Sequence, residues 1–224
     1  MHHSARLWIH LSTICLFTIL ITRCAFSQSQ TPSAQRRCEV QGIRERNTPE
    51  PPQDPESQLL RSIRLCDHER ATALIQGGAN VSFEDGTGNT PLTLAIGFDQ
   101  TSIVQELLRH GAKPDQASSK TSLQTALMTA ARNGNTGAAR LLLVYGANPN
   151  KADMHGATAL MYAAETGNTE VVKLLLSYGA DPTLRDKSSK SARDSAMRAK
   201  HGEIADILNS AAKKARDGTD PVLK

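Results

Sequence analysis

The chain has 224 residues, 39% of them hydrophobic and 4% aromatic, with 26 Lys and Arg against 22 Asp and Glu. That length suits one domain with appendages, and that apolar content excludes a wholly disordered chain. A core with so few rings must rest on Leu, Ile, Val and Ala, which favours stacked helices. The formal charge of +4 and the pI of about 9.0 do not make a nucleic-acid face, which needs cations gathered on one surface.

Residues 1–27, MHHSARLWIHLSTICLFTILITRCAFS, contain no acid, carry Arg6, and run through a mostly apolar stretch from Leu11 to Ile21. This predicts a secretory signal peptide, with Ala25 and Ser27 as the small residues preceding a cut before Gln28. The alternative is an uncleaved membrane anchor, but Leu7 to Ile21 is shorter than the ~20 apolar residues of a spanning helix. Lipidation at Cys24 is disfavoured by Arg23 directly before it. Losing Arg6 and Arg23 leaves 24 basic side chains (26 minus 2) against 22 acidic ones, a nearly neutral product. The expected location is a periplasm or the cell exterior. Of four cysteines, Cys38 and Cys66 remain after such a cut. Two thiols in an exported chain predict a disulfide between them.

Residues 28–55, QSQTPSAQRRCEVQGIRERNTPEPPQDP, are rich in Pro, Gln and charge and hold few large apolar side chains. Such a stretch cannot bury enough surface to fold alone and is expected to be a disordered linker. From residue 56 to 212 a period takes over, followed by a polar tail, 213–224. The pairs Gly78-Ala79, Gly111-Ala112, Gly146-Ala147 and Gly179-Ala180 stand 33, 35 and 33 residues apart. Thr90, Thr125 and Thr158 each precede their pair by 21 residues. The two extra residues therefore fall between Ala112 and Thr125, outside any helix.

Each unit reads the same way. A Thr opens a first helix, as in Thr158-Ala-Leu-Met-Tyr-Ala-Ala, where its hydroxyl is expected to cap exposed amides. Gly134 and Gly167 end that helix at a position suited to positive φ. A second helix follows with helical apolar spacing, as in Val171, Val172, Leu174, Leu175 and Leu176, and stops at the Gly-Ala pair. A polar hairpin leads to the next unit.

This pattern resembles the ankyrin repeat, a 33-residue β-turn and two-helix unit opened by T-P-L-H-x-A. Thr90-Pro91-Leu92 and Thr158-Ala159-Leu160 match the opening, and Asp85, Asp153 and Asp186 match the family's hairpin aspartate; Thr93, Met128 and Met161 replace the motif His. The expected fold is an all-α repeat solenoid, an ankyrin-type stack of helix-turn-helix units with β-hairpin fingers. It has three clear repeats between two degenerate ones, which start at Ser57 and Ser191.

No catalytic motif is present: HExxH, GxSxG, CxxC and a phosphate-cradling loop are all missing from the sequence. His68, His110, His155 and His201 fall at different phases of the period, which disfavours a metal row. The recurring aspartates read as hairpin geometry rather than calcium ligands. The expectation is a non-enzymatic chain with no catalytic residues, metal, cofactor or small-molecule substrate.

What the ankyrin resemblance implies is a protein partner on the face formed by the fingers and the first helices. Carried across, the free finger positions are Thr87 and Asn89, Ser122 and Gln124, Met154 and His155, and Lys187 and Lys190. Before the mid-repeat turn they are Phe98, Arg132, Asn133, Glu165 and Thr166. Phe98, Met154, His155 and Tyr162 are the most suggestive, because aromatic and flexible apolar side chains are enriched in interface cores. The alternative for Phe98 and Tyr162 is packing against neighbouring repeats. The expected role is a binding module acting after export, as an accessory to an exported enzyme or as a secreted effector. A membrane-tethered scaffold with an uncleaved N-terminal segment is the other reading.

Overall fold

The computed structural model describes residues 54–118 and 123–216. The leader, the body of the linker, Cys38, Ser122 and the last eight residues lie outside the described residues. Within them are ten helices in five pairs: α1 (Pro55–Arg64) with α2 (His68–Gln76), and α3 (Pro91–Gly97) with α4 (Thr101–Arg109). Next come α5 (Ala126–Asn133) with α6 (Thr136–Val144), α7 (Ala159–Thr166) with α8 (Thr169–Ser177), and α9 (Ala192–Arg198) with α10 (Gly202–Arg216). First helices pack in one row and second helices in another, each touching its neighbours in the adjacent pairs. This is the expected all-α repeat stack.

The caps explain where the first helices begin. Thr90, Thr125 and Ser191 accept a hydrogen bond from the amide three residues on, at 3.2, 3.3 and 3.3 Å. The residue at that third position, the motif-His site, returns a bond to the capping residue's own amide. Thr93 Oγ1 accepts from Thr90 N at 2.9 Å, Met128 Sδ from Thr125 N at 3.4 Å, and Asp194 Oδ2 from Ser191 N at 2.9 Å. Two orphan donors are thus satisfied reciprocally without histidine. Thr158 departs from its expected role: it is buried at the N-cap of α7 but makes no side-chain cap bond.

The turn between paired helices is left-handed in every repeat. Gly134 and Gly167 have φ of 69° and 82°, as their sequence position suggested, but Cys66 (55°), Asp99 (58°) and Lys200 (65°) adopt the same conformation without being glycine. The residue after each of the middle three turns reaches back one repeat. Gln100 Nε2 donates to Ile63 O at 2.6 Å, Asn135 Nδ2 to Asp99 Oδ1 at 2.7 Å, and Asn168 Nδ2 to Ala131 O at 2.9 Å. His201, next in phase, places its ring over Gly167, where an added Cβ would stand 2.7 Å from it. These side chains register each pair on the one before it.

Between the rows runs a continuous apolar seam that includes Leu107, Leu142, Leu175 and Leu208, all buried. The end repeats change the outward-facing letters. Gln58, Ser62 and Arg70 stand at the phases of Ala159, Ala163 and Val171, and Arg193 and Met197 stand at those of Leu160 and Ala164. Terminal repeats have one neighbour each, so Gln, Ser and Arg replace apolar residues at four of these positions, while Met197 is an apolar side chain left exposed. The final helix α10 has 15 residues against nine for the other second helices, and it runs to Arg216, past the expected repeat end at 212.

Candidate functional site

Four fingers project between successive pairs, each closed at its base by a backbone bond. Asp85 N donates to Asn89 O at 3.0 Å, Asp153 N to Ala157 O at 2.9 Å, and Asp186 N to Lys190 O at 2.9 Å. In the second finger Ser118 N reaches Gln124 O at 3.2 Å, spanning six positions instead of four, so the two inserted residues are absorbed inside that finger. The fingers are too short for a ladder: the bridges among the described residues are the isolated pairs Ala152–Thr158 and Arg185–Ser191.

The recurring aspartates build the fingers. Asp85 Oδ1 accepts from the amides of Thr87 and Asn89, Asp153 Oδ1 from those of His155 and Ala157, and Asp186 Oδ1 from those of Ser188 and Lys190, all at 2.8 or 2.9 Å. Each carboxylate thereby stands in for a backbone acceptor, the habit that favours Asp in turns. Burial opposes the charge on Asp85. The Thr87 hydroxyl, the Asn89 and Thr87 amides, and the Arg64 guanidinium at 2.8 Å outweigh it and hold its pKa at about 2. Fingers also join one another, since Lys187 N donates to His155 O at 2.9 Å.

Tyr162 is the hub of the face. Its hydroxyl donates to Asp153 Oδ2 at 2.7 Å and accepts from Gln124 Nε2 at 3.0 Å, while the Arg132 guanidinium lies 4.4 Å from the ring centroid. Burial and the Asp153 carboxylate push the phenol's pKa up, against the Arg132 cation. It stays a protonated donor at neutral pH, so the cluster locks three repeats together and holds no reactive anion. Cation over ring adds on the order of 1 kcal/mol at a partly exposed site.

The structure brings Gln124, Arg132 and Tyr162 together and gives them architectural work. Phe98 and Tyr162 are half-buried and packed against the core, the alternative weighed from sequence. Thr87 and Asn89 bond within the first finger, and Thr166 Oγ1 donates to Tyr162 O at 2.9 Å while accepting from Asn168 Nδ2 at 2.6 Å. Glu165 pairs with Arg198 at 2.8 Å. Left outward are Asn133, Met154, His155, Lys187 and Lys190, all exposed, Met154 by 47%. Arg198 was missed in the sequence, although it follows Arg132 and Glu165 at the 33-residue phase. Leu123, exposed by 48% in the lengthened finger, was missed too; the insertion was its only signal.

The histidines stand apart. His68 Nε2 lies 2.7 Å from Ser102 Oγ, His110 lies 3.9 Å from Glu106, His155 sits on the third finger, and His201 packs on Gly167. Among the described residues no group of three or more His, Cys, Asp or Glu is placed to hold a metal ion, and no helix is long and apolar enough to cross a membrane.

Comparison with known proteins agrees with this architecture. The family model for ankyrin repeats (3 copies) matches residues 59–153, 100–186 and 152–217. A putative ankyrin repeat-containing protein of Treponema pallidum (strain Nichols) is 37% identical over 103 residues, 46% of this chain and 34% of that protein. The human SH3 and multiple ankyrin repeat domains protein 2 is 37% identical over 91 residues, 40% of this chain and 5% of its own. The human 2-5A-dependent ribonuclease is 40% identical over 57 residues, 25% of this chain and 8% of its own. The chain thus spans about a third or less of each relative, and the ribonuclease's activity is a property of that protein. Three overlapping family matches that together span residues 59–217, on five stacked helix pairs with a common left-handed turn, place this chain in the ankyrin-repeat family.

Proposed function

We propose that the chain is a non-enzymatic, exported protein-binding module that holds a partner protein on its fingers and first helices. Ankyrin repeats imply protein–protein interaction, and one observation carries the choice of face. Met154, His155, Lys187 and Lys190 project from adjoining fingers whose backbones are tied by the Lys187–His155 bond; Lys190 also lends its charge to Asp194, while Met154, His155 and Lys187 have no described side-chain partner. A rigid base beneath uncommitted side chains lowers the entropy cost of binding. Candidate partners are an exported enzyme to which the chain is accessory, or a target of a secreted effector.

Export is supported by the acid-free, apolar character of residues 1–27. A bridge between Cys38 and Cys66 belongs to the same reading. It is supported by the disulfide-bonded state of Cys66 and by Cys38 being the other cysteine beyond residue 27.

The test uses the full chain against a Met154→Ser, His155→Ala, Lys187→Glu variant as baits in the exported fraction, after both are shown to unfold at the same urea concentration. Capture by the unaltered bait alone supports this face. Equal capture by both baits refutes it and moves the contact elsewhere. Phe98 is left intact, because its half-buried ring would confound binding with stability. The N-terminal mass of the native protein decides between cleavage and a retained anchor.

A further inference from the structure

Four exposed cations stand on the finger and first-helix face of the last three pairs: Arg132 on α5, Arg198 on α9, and Lys187 and Lys190 on the fourth finger. The carboxylates beside them are mostly engaged. Asp153 is buried, its Oδ1 accepting two amides and its Oδ2 the Tyr162 hydroxyl, and Asp186 Oδ1 accepts the Ser188 and Lys190 amides. Arg185 and Asp194 approach to 3.7 Å beside the finger and offset each other. Among the described residues, Glu165 is then the one exposed acid of this face, 2.8 Å from Arg198. The other end differs: residues 80–99, the first finger and α3, contain no Lys or Arg. Positive charge is therefore gathered toward the C-terminal half of the face, where Met154 also stands outward.

We propose that the partner segment held here is an acidic stretch of protein, with Asp or Glu side chains on Arg132, Lys187, Lys190 and Arg198 and an apolar side chain against Met154. This partner chemistry rests on the binding face proposed above. Several fixed cations attract one arriving carboxylate-rich segment together, and complementary charge at one end of a face sets its register. Guanidinium groups suit the task because they fork onto a carboxylate with two parallel hydrogen bonds. The Tyr162 ring already holds the Arg132 guanidinium at 4.4 Å from its centroid, and Glu165 already occupies Arg198 as an internal stand-in for a partner's acid. Nucleic acid fits the same charge less well. Bases need rings to stack on, and the Tyr162 ring is covered by Arg132 while Phe98 packs against the core.

The experiment selects random phage-displayed peptides on the full chain and measures the affinity of the selected peptides by fluorescence anisotropy. Three chains are compared: unaltered, Lys187→Gln/Lys190→Gln/Arg198→Gln, and Glu165→Gln, with their urea midpoints measured alongside. Asp and Glu are expected at about twice their frequency in the starting library, with affinity about tenfold lower in the triple variant and about threefold higher in Glu165→Gln. The gain in Glu165→Gln is a readout that loss of folding cannot imitate. Selected peptides without an excess of acid overturn the acidic partner; the face itself survives if they also lose affinity for the Met154→Ser, His155→Ala, Lys187→Glu chain, and falls if they do not. Acidic peptides that bind all three chains alike overturn the assignment to these cations. Tighter binding of single-stranded oligothymidylate or of phosphatidylglycerol vesicles than of any selected peptide overturns a protein partner in favour of that polyanion.

Discussion

Replacing Leu142 with Ala tests the register of the whole stack. Leu142 is fully buried in α6, in the central pair, at the phase of Leu107, Leu175 and Leu208. The change removes three carbons, worth roughly 2.4 kcal/mol at ~0.8 kcal/mol each. Incomplete collapse adds more: a residual void of about 50 Å3 at ~24 cal/mol per Å3 costs about 1.2 kcal/mol. The expected loss is about 3–4 kcal/mol in urea unfolding, with the slope m unchanged. Val144→Ala is the internal control, because Val144 lies in the same helix but is 62% exposed. A Leu142→Ala loss as small as the control's would refute the assignment of that face to the core. A changed m would mean that the stack no longer unfolds as one unit.

Lys200→Gly should raise stability by about 0.5 kcal/mol in the same assay, because Lys200 holds φ of 65° where glycine sits without a Cβ penalty, less the entropy glycine adds to the unfolded chain. Gly167→Ala should do the reverse and by more, since its new methyl meets the His201 ring. Asp85 predicts an acid-sensitive first finger: its folded pKa of about 2 lies below the ordinary 3.8. Its contribution is therefore present above 3.8 and lost as pH falls through 2, on the order of 1 kcal/mol after allowing for solvent screening. Asp85→Asn should flatten the stability profile across that window; an unchanged profile would show that the carboxylate's bonds do not matter to folding.

The helix pairs and their phase were legible because the Gly-Ala pairs and opening threonines repeat at a constant offset, and the seam of leucines obeys one period. Two features were not. Left-handed turns at Cys66 and Lys200 carry no local signal, since neither residue prefers positive φ, and Asp99 offers only the weak tolerance of Asp for that conformation. Tyr162 reads as an exposed recognition side chain, yet its partners Gln124 and Arg132 lie 38 and 30 residues away in the chain. Their convergence follows from stacking geometry, which the period implies only once the helices are laid side by side. The outward role of Met154, His155 and Lys187 followed from phase alone.

The second finger draws a broader consequence. Its base closes from Ser118 to Gln124 as the others close over four positions, and α5 then starts on a buried Thr125 just as α3 starts on Thr90. Length at a fingertip is therefore uncoupled from the phase of the scaffold. Insertions and deletions there can alter what the protein touches without being felt by the helices, which makes the tip of the second finger the natural place to graft a new recognition loop.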